Sequence, residues 1–305
     1  PTSPSLRASS SDDGGAAAAS GSRKAARAVI DRQLPELLDP SRRRPLREDL
    51  RRIRSRRDFV WFSAVSELRT QQTDTVLGNL WHVLNPLLQI AVYFVVFGLI
   101  LGTDRGVDNF LPFLAIGIFT FGYMRKVIVG GAQSLIKNRG LIHSISFPRA
   151  VLPISVSVTE AVAFLFPFLV MLGVAAATGE YPTVRWLVMV PIFIGQSLFA
   201  LGIGFIAARI TFYFRDFENI LDFLFRMAFY FSGVLFSVDK FVRDPTARSL
   251  ADLNPLLDFI SLYRWAVMDI PVSTRLVVAS IAWSVGALVL GYVWFHRRER
   301  DYGRE

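Results

Sequence analysis

Residues 84–101 read LNPLLQIAVYFVVFGLIL. The stretch contains no charged side chain. At 1.5 Å per residue it is about as long as the ~30 Å hydrocarbon core of a bilayer is thick. Hydrocarbon offers backbone N–H and C=O groups no partners, so a segment placed there must satisfy them internally, as a helix. Asn85-Pro86 near its start suits a helix beginning or an interfacial kink, because proline has no N–H to donate. Five further stretches are comparably apolar: 110–136, 151–178, 186–212, 220–238 and 276–295. The expected fold is therefore all-α, a polytopic membrane protein with six transmembrane helices in the block 76–296.

Upstream of the quoted stretch the composition reverses. Residues 42–57 are RRRPLREDLRRIRSRR, with Leu46, Leu50 and Ile53 on one helical stripe. The stripe recurs as Trp61, Val65 and Leu68. A basic amphipathic helix with Trp and Phe on its apolar side fits an anionic lipid surface, so 42–75 is read as interfacial. The nucleic-acid reading of such an arm is set aside, because a membrane span follows directly. Residues 1–41 are expected to be a disordered basic tail, rich in Ser, Ala, Gly and Asp at the start. Ala16 to Ala19 are not flanked by the apolar core of a secretory signal.

The chain has 305 residues, is 52% hydrophobic and still carries a formal net charge of +9. That combination requires the charge to be segregated, as it is. Orientation follows from Arg and Lys in the short flanks. The arm, the loop with Lys137, Arg139 and Arg149, the loop with Arg215, and the tail 297–305 are basic; TDRGVDN (103–109) and TGEYPTVR (178–185) are not. Both termini are thus expected in the cytoplasm, with the chain in the inner membrane. The loop after the fifth span, 239–275, contains an apolar run, 255–270, interrupted by Asp258 and Arg264. It is too short and too charged to span, which leaves two readings open: re-entrant helices on the outer side, broken near Asn254-Pro255, or an amphipathic surface helix.

Several chemistries are excluded. The chain has no cysteine, so disulfides, thiolate zinc sites and cysteine nucleophiles are absent. His82, His143 and His296 lie on three separate segments and do not form a ligand set. None of Lys24, Lys126, Lys137 or Lys240 sits in the Gly-Lys-Ser/Thr context that a phosphate-binding loop needs. Hydrolase signatures are also missing. No cofactor and no catalytic group is expected on this chain; if ATP drives transport, another polypeptide hydrolyses it.

Four sets of residues remain as candidates. Ionisable groups inside spans are costly and so functional by default; here they are Arg125, Lys126 and Glu160. Arg125 and Glu160 lie nearly equal distances either side of His143, which predicts similar depth and an ion pair, structural or transport-related. Asp222 and Arg226, four apart, are positioned to pair along one helix. The loop KNRGLIHSISFPRAVLP (137–153) carries Leu141, Ile142, Ile145 and Phe147. Either a protein partner covers that apolar patch or it lies back on the membrane or the protein's own helix ends. Tyr93, Phe97, Phe113, Phe119, Tyr123, Phe225, Phe229, Tyr230 and Phe236 are candidates to line a glycan channel by weak stacking, against a plain core or lipid-facing role. Ala282 and Gly286, and Ala287 and Gly291, are small pairs suited to close helix packing.

These landmarks resemble a known family. Thr75-Val-Leu-Gly-Asn-Leu-Trp81 with Asn85-Pro86-Leu87 is similar to the lead-in to the first span of type-2 ABC exporter permeases, the membrane subunits that export O-antigen, teichoic acid and related polymers. Leu141-Ile142, Phe147-Pro148-Arg149 and Leu152-Pro153 resemble that family's coupling-helix region; Phe214-Arg215-Asp216 its short fourth loop; and Leu253-Asn254-Pro255-Leu256 with Tyr263-Arg264 its last outer loop. The resemblance implies a homodimer bound to two copies of a separate ATPase that holds ATP and magnesium. It implies an ATPase-coupling surface at Arg139, Leu141, Ile142, Ile145, Phe147, Pro148, Arg149, Arg215 and Asp216, and a polyprenyl-linked polysaccharide as cargo. The arginine-rich composition resembles an actinobacterial version, for which a cell-wall galactan is the implied cargo. A drug or lipid permease shares the fold. An integral-membrane transferase would need an acid/base cluster that the sequence lacks.

Overall fold

The computed structural model describes residues 57–70, 80–100, 107–144, 147–237, 253–299 and 302. The arm before residue 57, residues 71–79 with most of the lead-in motif, 101–106 of the first loop, Ile145 and Ser146, Val238 and the stretch 239–252, and the tail residues 300, 301 and 303–305 lie outside them. Every regular element among the described residues is helical. α1 is Arg57–Thr70, and α2, Trp81–Phe94, continues as a π-helical segment, Val95–Ile100. α3 is Phe110–Lys137, followed by the short α4, Arg139–Ser144. α5 (Val151–Ala163) and α6 (Leu165–Ala177) follow one another with a break at Phe164. Pro167 explains the break, since it has no N–H to give the Ala163 carbonyl. A 3-10 turn, Val184–Val188, leads into α7, Met189–Tyr213; then come α8 (Phe217–Phe231), α9 (Pro255–Met268) and α10 (Thr274–His296).

Five helical stretches among the described residues are long and apolar enough to cross a membrane: Trp81–Ile100, Phe110–Lys137, Val151–Ala177, Val184–Tyr213 and Thr274–His296. The protein is a polytopic membrane protein. The stretch expected as a fifth of six spans, 220–238, behaves differently. α8 has 15 residues, or about 22 Å, short of the ~30 Å core. The chain turns after it at Gly233, whose φ of 62° is the left-handed region that glycine enters freely. Asn254 caps α9, its side chain accepting from the Leu256 N–H, with Pro255 at the first helical position, so a helix starts at Asn254-Pro255. α9 buries Leu257, Phe259, Ile260, Tyr263 and Arg264 against α3, α7 and α10, which excludes a helix lying on the surface.

α3 is the axis of the bundle. It is buried over most of its length and touches α2, α5, α6, α7, α8 and α9. α7 packs against α3 on one side and α10 on the other. The α7–α10 crossing brings backbones into contact: a Cβ on Gly202 would overlap the Ala287 backbone, and one on Gly291 the Gly202 carbonyl. Ala287 and Gly291 thus pack closely, as their spacing predicts, whereas Gly286 faces open space. α1 packs on α5 through Val60 and Ala64, leaving Trp61 and Phe62 exposed on its other side.

Candidate functional site

A polar cleft of about 690 Å³ opens between α1, α2, α3 and α5. Arg125, Lys126, Gln133 and Lys137 line it from α3, Glu160 from α5 and His82 from α2. The cations sit here because α3, otherwise apolar, turns its few polar side chains to this side at roughly helical spacing. The cleft therefore carries more positive than negative charge.

Arg125 and Glu160 both line this cleft. The bond Arg125 makes, however, is to Asp222 of α8, with Nη2 donating to Oδ1 at 2.8 Å. Asp222 accordingly reaches across to α3 rather than along α8 to Arg226. Counting residues fixes height along a helix but not the direction a side chain faces. A second polar tie joins the same two helices, from Gln133 to Glu218. Apolar contacts complete the seam, with Phe121 edge-on to Phe225 and Phe229 at 5.9 and 5.4 Å.

The end of the bundle that holds Lys137, Arg139, Arg149 and Arg215 is a second site. Ile142 is buried, and Leu141 and Phe147 pack onto a cluster built from Leu135, Phe205, Phe212 and Phe295. Among the described residues of the apolar loop, Ile142 and one side of Leu141 and Phe147 rest on the protein's own helix ends. Arg139 stands over the Phe212 ring at 5.8 Å, and Pro148 and Arg149 are half-buried. The apolar surface that is open at this end belongs to Tyr213 and Phe214, each 50% exposed, beside exposed Arg215 and Asp216.

The aromatic candidates divide. Phe113, Phe119, Tyr123 and Phe225 are buried within the chain's own core, which removes them as surface for a passing chain in this conformation. Tyr123 instead shares a hydrogen bond with Ser197 at 2.7 Å. Tyr93, Phe97, Phe229 and Phe236 are half-buried and Tyr230 is exposed.

Two polar centres carry more of the structure than their sequence signal indicates. Gln196, fully buried on α7, donates to the Thr120 carbonyl of α3 and accepts from the Tyr263 hydroxyl of α9, both at 2.9 Å. It pins three helices together. Arg264 is buried on α9, its guanidinium 3.3 Å from the Phe113 ring centre. It donates to the carbonyls of Gly233 (2.9 Å), Val234 (3.1 Å) and Phe113 (3.2 Å). Those acceptors belong to the turn after α8 and the first turn of α3. A charge inside an apolar run is the one clue to Arg264 in the sequence; an uncharged Gln196 within a span gives less.

Residues 60–268 match the family described as "ABC-2 type transporter". Over 199 residues the chain is 31% identical to an O-antigen export system permease protein, RfbA, of Myxococcus xanthus, covering 65% of this chain and 75% of that protein. A Klebsiella pneumoniae RfbA is 29% identical over 205 residues, 67% of this chain and 77% of that one. The polysialic acid transport protein KpsM of Escherichia coli is 23% identical over 239 residues, 76% of this chain and 90% of its own.

Proposed function

The chain belongs to the ABC-2 type transporter family, and from that membership we propose that it is the membrane permease of an ATP-driven polysaccharide exporter. Relatives named for O-antigen export and for polysialic acid transport support a polysaccharide cargo. In this reading the permease is a homodimer in the inner membrane with both termini in the cytoplasm. Two copies of a separate ATPase hold the ATP and magnesium. The basic end meets the ATPase, through Arg139, Pro148 and Arg149 on one loop and Phe214, Arg215 and Asp216 on the other. Ile142 acts there as the buried root of the loop, with half-buried Leu141 and Phe147 beside it.

The observation that carries the cargo assignment is the cleft. Arg125, Lys126 and Lys137 give it a cationic lining within reach of the bilayer, suited to the phosphate of a lipid carrier whose tail stays in hydrocarbon. A polyprenyl-linked glycan has that layout, and a cell-wall galactan is the specific polymer we infer. Tyr93, Phe97, Phe229, Tyr230 and Phe236 remain as the aromatic surface along which its sugars slide. Reversing the cleft's charge with Lys126→Glu is expected to lower export at least ten-fold while the ATPase still co-purifies. Export at the wild-type rate would remove the headgroup from the cleft.

A further inference from the structure

Past the last span the chain folds back onto the loop that begins α5. Glu299 sits one turn beyond α10 with its side chain 14% exposed, surrounded in sequence by Arg297 and Arg298. Its Oε1 accepts the backbone N–H of Arg149 at 2.7 Å, and its Oε2 lies 2.9 Å from His296 Nδ1. The Arg149 amide immediately precedes α5, where N–H groups lack partners within the helix and a carboxylate is favoured by the helix dipole. The acceptor comes from 150 residues away. Tyr302 is 2% exposed. Its hydroxyl donates to the Phe295 carbonyl at 3.2 Å, and its ring meets Phe212 at 4.9 Å and Phe295 at 5.0 Å. Phe212 closes the set, since Arg139 of α4 stands over its ring at 5.8 Å.

We propose that Glu299 and Tyr302 form a strap that fastens the 139–149 loop and the end of α7 to the end of α10, so that a displacement imposed at either basic-end loop moves all three together. Glu299 and Tyr302 are positioning residues: they contact no cargo and no nucleotide. The strap joins elements that are already in register deeper in the bundle, because Gly202 of α7 and Gly291 of α10 touch through their backbones. With both the crossing and the strap in place, α7 and α10 act as one lever whose short arm ends at Phe212 and Arg215. Without the strap, the loop at Arg149 retains its apolar root but loses the bond that ties it to that lever. The inference rests on the reading of the basic end as the place where the ATPase docks.

The test uses the full chain with its partner ATPase and compares Glu299→Ala, Glu299→Gln and Tyr302→Ala with wild type. Three quantities are read: ATPase captured, ATP hydrolysed by the complex, and polymer exported per ATP hydrolysed. In Glu299→Ala and Tyr302→Ala, capture and hydrolysis are expected to stay within about two-fold while export per ATP falls at least five-fold. Glu299→Gln is expected to restore most of it, because its amide oxygen still accepts the Arg149 N–H. Hydrogen exchange in the segment 147–152 is read alongside, on the permease alone. It is expected to rise at least ten-fold in Glu299→Ala and to stay near wild type in Glu299→Gln. Unchanged export per ATP in Glu299→Ala, or unchanged exchange at 147–152, overturns the strap. Failure of the wild-type chain to capture the ATPase overturns the docking reading instead, and leaves the exchange result to judge the strap.

Discussion

The α7–α10 crossing and the α8–α9 break hold the bundle by opposite means. At the crossing, side chains are absent: Gly202 and Gly291 let two backbones touch, and dispersion across the close contact does the rest. At the break, a long charged side chain is inserted: Arg264 reaches from α9 to the Gly233 and Val234 carbonyls of the turn, which no helix satisfies, and also to the Phe113 carbonyl in the first turn of α3. The difference follows from what each place lacks. Two continuous helices have all their backbone groups paired and need only proximity. A chain that stops inside an apolar environment exposes carbonyls, and an unsatisfied buried carbonyl costs about 1–3 kcal/mol. Arg, with five donors and a permanent charge, can serve several of them at once.

Substitutions at the two places sharpen that contrast. The largest effect is expected at the crossing, where Gly202→Leu has no room because the obstacle is the Ala287 backbone and not a movable side chain. Overpacking against backbone of this kind should cost more than about 3 kcal/mol and abolish the folded, detergent-stable protein, whereas Gly286→Ala, facing open space, should leave its melting temperature unchanged. Next comes Arg264→Ala, which orphans the turn carbonyls of Gly233 and Val234. A loss of about 3 kcal/mol in reversible unfolding is expected, with Arg264→Lys recovering part of it at most, because one ammonium cannot copy the fork. Below it stands Tyr263→Phe, which removes one donor from Gln196 and should cost about 1 kcal/mol by the same measurement. The smallest is the Arg125–Asp222 pair, whose side chains are 47% and 35% exposed. A double-mutant cycle with Arg125→Gln and Asp222→Asn should return a coupling of about 1 kcal/mol or less.

The same contrast explains what could be read in the sequence. Apolar length alone located the stretches around 84–101, 110–136, 151–178, 186–212 and 276–295, since a bilayer imposes that length on every span. Asn254-Pro255 announced the start of a helix because capping and proline act within a few residues. Ala287 and Gly291 were visible as a spacing. The early end of α8 was not visible, because 220–238 is uniformly apolar and what holds the turn at Gly233 is Arg264, thirty-one residues further on. The cover over Leu141 and Ile142 was hidden for the same reason: it is assembled from Phe205, Phe212, Phe295 and Tyr302, on segments far apart in sequence. Arg125 and Glu160 show the limit in one pair. Counting residues put both beside one cleft, but the partner of Arg125 was decided by the packing of α8 on α3. The family resemblance, read from short motifs at Leu141-Ile142, Phe214-Arg215-Asp216 and Leu253-Asn254-Pro255-Leu256, agrees with the match over residues 60–268.

At the basic end, exposure distinguishes the two loops in the same way. Phe214→Asp with Arg215→Glu alters open surface and is expected to cut ATPase co-purification at least ten-fold without lowering the permease's melting temperature. Leu141→Asp is expected to lower that temperature first, since it places a carboxylate against the Phe205–Phe295 cluster.

Depleting the chain in living cells and locating the lipid-linked polymer tests the central claim most directly. A polysaccharide-export permease predicts full-length, lipid-linked polymer accumulating on the cytoplasmic side while its surface amount falls in step with depletion. Normal surface polymer, with a short lipid or a drug accumulating inside instead, would contradict it.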